Sequence, residues 1–109
     1  MYKNEKLEYA FPVYKMKIKY AGGIVIRTLP DFLSKPVGVA MNGTEHYVYG
    51  ERFDRHMRIT YGKIKIPLDS DDIILNRHYS DNGDPVPEFG YILINTKYVD
   101  VSLIKHIIK

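Results

Sequence analysis

The sequence predicts an all-β fold: a small rolled sheet or barrel of six to eight short strands, with at most one or two short helical turns. Three observations carry this. Apolar residues alternate with polar ones at period two in run after run. Glycine, proline and Asn-Gly signals divide these runs at short intervals. No long segment repeats apolar residues with the 3.6 period of an amphipathic helix. SH3-like and OB-like barrels have the matching size, and the 109 residues suit a single domain over 1–109.

Residues 1–12 interleave Lys3, Glu5, Lys6 and Glu8 with apolar positions and read as a loosely packed N-terminal arm. They contain no apolar core of the kind a signal peptide needs. Tyr14, Met16, Ile18 and Tyr20 alternate with Lys15, Lys17 and Lys19, giving one apolar and one cationic strand face. Ala21-Gly22-Gly23 supplies a tight turn and Ile24 to Leu29 a second strand, so 13–29 reads as a hairpin. Pro30 and Pro36 bracket an irregular segment with one helical turn through Phe32 and Leu33.

Val37 to Met41 and Thr44 to Tyr49 flank Asn42-Gly43, the pair that favours a type I′ hairpin turn, and are expected to pair with each other. Gly50 to His56 reads as a loop or strand extension. Met57, Ile59 and Tyr61 alternate, as do Ile64, Ile66 and Leu68, but the phase flips at Gly62. A bulge at Gly62, or a turn between two short strands, accounts for that flip, and the bulge is the preferred account. Asp69 to Asp72 forms a polar turn before a short strand at Ile73 to Leu75. Asn76 to Glu88 is the longest loop. Phe89 to Asn95 reads as a central strand, Tyr98 to Val101 as another, and Ser102 to Lys109 as a short turn leading into an ordered apolar end.

With no cysteine, a disulfide scaffold and a cysteine–zinc site are both excluded. His46, His56, His78 and His106 show no His-x-His or His-Glu-x-x-His spacing, and no metal site is expected. Asp69-Ser70-Asp71-Asp72 fails as a calcium loop because Ile73 and Ile74 stand where an oxygen ligand and glycine are needed. Asp81, Asn82 and Asp84 read as turn residues. There is no Gly-x-Ser-x-Gly elbow, and Gly22-Gly23 lacks the rest of a phosphate loop. Asp54 and His56 are the only pair placed for acid–base work, so enzymatic activity ranks third among the readings.

Charge is segregated along the chain. Residues 1–66 hold eight lysines and four arginines against six acids, a net +6, whereas 67–109 carry −3. Arg52, Arg55 and Arg58 lie within seven residues beside Tyr49 and Phe53. Lys15, Lys17 and Lys19 form one cationic row and Lys63 and Lys65 another. Joined with Tyr47, Tyr49 and Phe53 as stacking platforms, these residues predict a basic aromatic surface on a non-enzymatic binding module, with nucleic acid as partner. Alternating lysines equally serve solubility and guard an edge strand. Tyr14, Tyr20 and Tyr61 fall on core phases, while Tyr47, Tyr49, Tyr79 and Tyr98 are candidate exposed anchors.

The alternative is a protein–protein module. A self-assembling accessory protein would join its acidic loop at 69–88 to the basic face of another copy. A small inhibitor of a larger machine is the other form, and a composition rich in Lys, Ile, Asn and Tyr suits a phage or viral protein. On either reading the chain is expected in the cytoplasm (the host's, if viral), without cofactor, membrane or small-molecule substrate.

Overall fold

The computed structural model describes residues 7–8, 12–67, 71–76, 83 and 85–103. These residues form an all-β antiparallel sheet without a helix. The strands are β1 (Leu7–Glu8), β2 (Tyr14–Ile18), β3 (Ile24–Arg27), β4 (Pro36–Ala40), β5 (Glu45–Asp54), β6 (Ile59–Lys65), β7 (Ile73–Leu75), β8 (Phe89–Ile94) and β9 (Val99–Leu103). Eight follow one another across the sheet in the order β7-β4-β3-β8-β6-β5-β2-β9, and β1 pairs with β5. The path ends at β7 and β9, so the sheet is rolled and does not close into a barrel.

Two expected hairpins do not form. β2 and β3 are separated by β8, β6 and β5, and β4 and β5 by β3, β8 and β6. The turns themselves are present: Gly23 N–H donates to Tyr20 O at 2.9 Å and Thr44 N–H to Met41 O at 3.2 Å. In a flat sheet, four strand spacings would separate each pair by about 19 Å. A tight turn cannot bridge that gap, so the sheet rolls until the ends of non-neighbouring strands meet. The two turns are corners between layers. They also touch: Gly43 N–H donates to Ile18 O at 2.7 Å, and Ile18 N–H to Thr44 O at 2.9 Å.

The core fills the space the roll encloses. Met16 and Ile18 of β2, Ile26 of β3, Val37 of β4, Val48 of β5, Ile64 of β6, Ile92 of β8 and Val99 of β9 are all fully buried and form one cluster. β8 lies between β3 and β6, as expected for a central strand.

One hairpin joins β5 to β6 through residues 55–58, with Arg58 at φ 56° in the left-handed region. Residues 51–54 thus extend a strand, and Met57 sits in the turn instead of starting β6. The bulge falls on β5, not at Gly62. Val48 pairs with Ile64 and Glu51 with Gly62, which leaves one extra residue at Tyr49–Gly50. β6 runs unbroken through Gly62, whose missing Cβ would stand 2.8 Å from Ile94 Cδ1 and 3.1 Å from Val48 Cγ1. The phase flip in the sequence has another cause. Ile64 and Ile66 face the core, while Ile59 and Tyr61 serve a second apolar cluster on the opposite face.

Pro30 to Ser34 makes a turn in which Ser34 N–H donates to Asp31 O at 3.0 Å. Ser102 lies within β9 opposite Lys15, so no turn forms there. The N-terminal arm contributes β1, and its other expectations fall largely outside the described residues, as do those for most of the 76–88 loop, Tyr79 and the end beyond Leu103. No helix among the described residues is long and apolar enough to cross a membrane.

Candidate binding site

Chemistry outside the core must come from the outer face of the sheet and its loops. On β2 the outward residues are Lys15 and Lys17, as the alternation requires, and Lys19 follows exposed just past the strand's end. Acids meet them from both sides. Lys17 stands opposite Glu45 on β5 and Asp100 on β9. Lys15 Nζ lies 3.3 Å from Glu45 Oε1, and Lys19 Nζ 2.9 Å from Asp100 Oδ1. Asp100 belongs to the acidic part of the chain, so the segregated charges partly neutralise each other within one molecule.

The second cationic row joins aromatic rings. Lys63 of β6 sits over the Phe89 ring at 4.6 Å, and Phe89 packs edge-on against Tyr49 at 5.4 Å. The Arg52 guanidinium lies over the Tyr91 ring at 5.9 Å. Lys65 stands 4.0 Å from Glu88. Phe89 and Tyr91 are thus already capped by cations of the same chain, a favourable arrangement that occupies ring faces bases would stack on, whereas Tyr49 meets only the edge contact with Phe89. Tyr47, opposite Lys15, remains half exposed. Phe53 is exposed near the end of β5, and Arg55 and Arg58 are exposed in the β5–β6 turn. The structure therefore divides the predicted surface into three places: the ion-paired β2 row, the capped rings over β6 and β8, and the hairpin tip.

Farther across the same face lies a cavity of about 290 Å³. Tyr61 and Leu93, paired across β6 and β8, contribute to it with Ile59. Val25 and Arg27 of β3, Phe32 of the Pro30–Ser34 turn, and Tyr20 and Tyr98 complete most of its wall. Tyr20 and Tyr98 meet edge to face at 5.0 Å. Arg27 donates from Nη1 to Ser34 O at 2.9 Å and lies over the Phe32 ring at 5.0 Å, so one side chain fastens the loop to β3. Tyr61 is only 3% exposed. Burial, with smaller contributions from Asp54 and Asp31, raises its pKa against the opposing effect of Arg27.

Phe32 also belongs to an adjoining cleft of about 560 Å³ between the loop and the hairpin tip. Pro30, Asp31, Leu33, Asp54, His56 and Met57 line the rest. Asp54 and His56, the pair the sequence places for acid–base work, are therefore brought into one cleft. Asp54 Oδ1 accepts from the backbone N–H groups of His56 at 2.9 Å and Met57 at 3.2 Å, which holds the turn. Among the described residues no three metal-ligating side chains gather.

Searches against protein-family models, curated proteins and solved structures found no match.

The cavity and cleft bring together Tyr20, Arg27, Phe32, Tyr61 and Tyr98, of which the sequence marked only Tyr98, as a candidate exposed anchor. Tyr20 was expected in the core, yet it is half exposed because β2 ends at Ile18 and the chain turns outward. Tyr61 is buried as expected, but on the face opposite the core. The available signal was the phase flip at Gly62, which marks where the apolar side of β6 changes.

Proposed function

We propose that this chain is a non-enzymatic binding module whose partner is a protein, docked along the groove formed by the cavity and the cleft. One observation carries the reading: half-exposed or exposed Tyr20, Val25, Phe32, Leu33 and Met57 converge on two adjoining hollows in one face. Apolar side chains scattered singly over a surface need no explanation, but gathered around a concavity they mark contact sites. The ion-paired Lys15 and Lys19 and the cation-capped rings of β8 favour this partner class over a polyanion.

The test is selection of a displayed random peptide library on the immobilised protein, repeated on Phe32→Asp and Met57→Asp variants with unchanged circular dichroism. Peptides rich in aromatic and branched aliphatic residues should be enriched on the parent and lost on both variants. The opposing outcome is no enrichment, with salt-sensitive binding of a mixed RNA and DNA pool that is lost when Arg52, Arg55 and Arg58 are replaced. That result would reassign the surface to nucleic acid.

A further inference from the structure

The walls of the cavity state what fits it. Tyr20, Tyr98, Phe32 and Tyr61 present four aromatic rings. Rings arranged around a hollow favour an aromatic occupant through edge-to-face and offset contacts.

Besides the hydroxyls of Tyr20 and Tyr98, Arg27 and Tyr61 bring donors to these walls. The Arg27 guanidinium carries five N–H groups and no acceptor. It gives Nη1 to Ser34 O and forms no ion pair with any described residue. The Tyr61 hydroxyl makes no hydrogen bond to a described residue and keeps some exposure at the hollow. An acceptor atom on the occupant would complete both groups.

The occupant is thus an aromatic ring ending in an acceptor oxygen. Among the standard side chains only tyrosine has both.

We infer that the cavity receives a tyrosine side chain of the partner protein, its ring among Tyr20, Phe32 and Tyr98 and its phenol oxygen accepting from Tyr61 and Arg27. This rests on reading the groove as a protein-docking site.

The experiment is a ¹H–¹⁵N NMR titration of the full chain with p-cresol and with toluene, the side-chain analogues of tyrosine and phenylalanine. p-Cresol should shift the amides of Val25, Tyr61 and Leu93 and bind about ten-fold more tightly than toluene. Tyr61→Phe, which removes only the oxygen, should bring the two within about two-fold while toluene binding stays unchanged. Arg27→Gln should narrow the gap to about three-fold, an independent check should Tyr61→Phe disturb the fold. Equal binding of the two probes by the parent, or an undiminished preference in Tyr61→Phe, overturns the tyrosine assignment and leaves the docking reading standing. If neither probe shifts these amides up to its solubility limit, the cavity is no docking site and both fall.

Discussion

The hydroxyl of Tyr14 on β2 donates a hydrogen bond to the carboxylate of Glu51, just beyond the bulge of β5. The bulge makes this possible. Before it, His46 and Val48 face inward; after it the inward phase passes to Glu51, which stands opposite Gly62. Without the extra residue, Glu51 would face the other way. Removing the donor with Tyr14→Phe leaves a half-buried carboxylate short of a partner and should cost about 1–3 kcal/mol in urea unfolding. Burial, and then Glu51, raise the Tyr14 pKa above its ordinary value of 10.0. The folded chain therefore holds this proton where the unfolded chain loses it, and stability should fall as pH rises above 10. Tyr14→Phe should flatten that alkaline loss; an unchanged slope would show that the pair does not produce it.

Gly38 and Gly43 should respond differently to alanine. At Gly38 a Cβ would stand 2.5 Å from Ile74 O and 3.0 Å from Leu75 Cα, both backbone atoms of β7. Side chains can yield to such a contact, but a paired strand must move. Gly38→Ala should cost about 1–3 kcal/mol and speed amide exchange in β7. At Gly43 nothing lies within 4 Å, and the cost comes only from holding alanine at φ +89°. Gly43→Ala should cost about 1 kcal/mol with no change confined to β7. Thermal unfolding with residue-resolved exchange separates the two cases.

The stretches forming strands were largely legible because period two is a local property of a half-buried strand. Their pairing was not. Asn42-Gly43 and Ala21-Gly22-Gly23 reverse the chain tightly, but a reversal within one layer and a corner between two layers demand the same residues. Only the strand order, formed by contacts distant in sequence, decides between them. The site suffered from the same locality. Period-two reading grants each strand one apolar face, so the phase flip after Ile59 and Tyr61 reads as a bulge at Gly62, whereas these residues mark a second apolar surface. Arg52, Arg55 and Arg58 formed a cluster by count, yet the hairpin sends Arg52 onto Tyr91 and leaves the other two at the tip.

His46 should make the fold acid-sensitive. It is the one buried polar or charged residue among those described, and its Nε2 lies 2.8 Å from Thr44 Oγ1, which donates to Met41 O at 2.7 Å. The hydroxyl proton is committed, so Nε2 carries the hydrogen of that contact. Burial lowers the His46 pKa below 6.5, against an opposing effect of Asp72. The unfolded chain then binds the proton first, and stability should decline as pH falls from about 7 through the ordinary imidazole range. His46→Gln, which keeps an N–H donor but does not titrate there, should have a flatter melting temperature between pH 7 and 5. Parallel curves would assign the decline to other groups.

Arg27 should hold the docking groove without supporting the core. Its guanidinium spans from β3 to the Pro30–Ser34 turn by the bond to Ser34 O and the contact with Phe32. Lysine can place a charge over the ring but lacks the planar fork that makes both contacts together. In Arg27→Lys, amide exchange should quicken at Leu33 and Ser34, where the loop's internal hydrogen bonds lose their anchor, while Ile26 and Ile92 keep parent-like protection. The half-exposed ring of Phe32 limits the expected loss of global stability to about 1 kcal/mol. Exchange that quickens equally in loop and core would mean that Arg27 supports the whole sheet; selective quickening would mean that the groove's outer wall can open on its own.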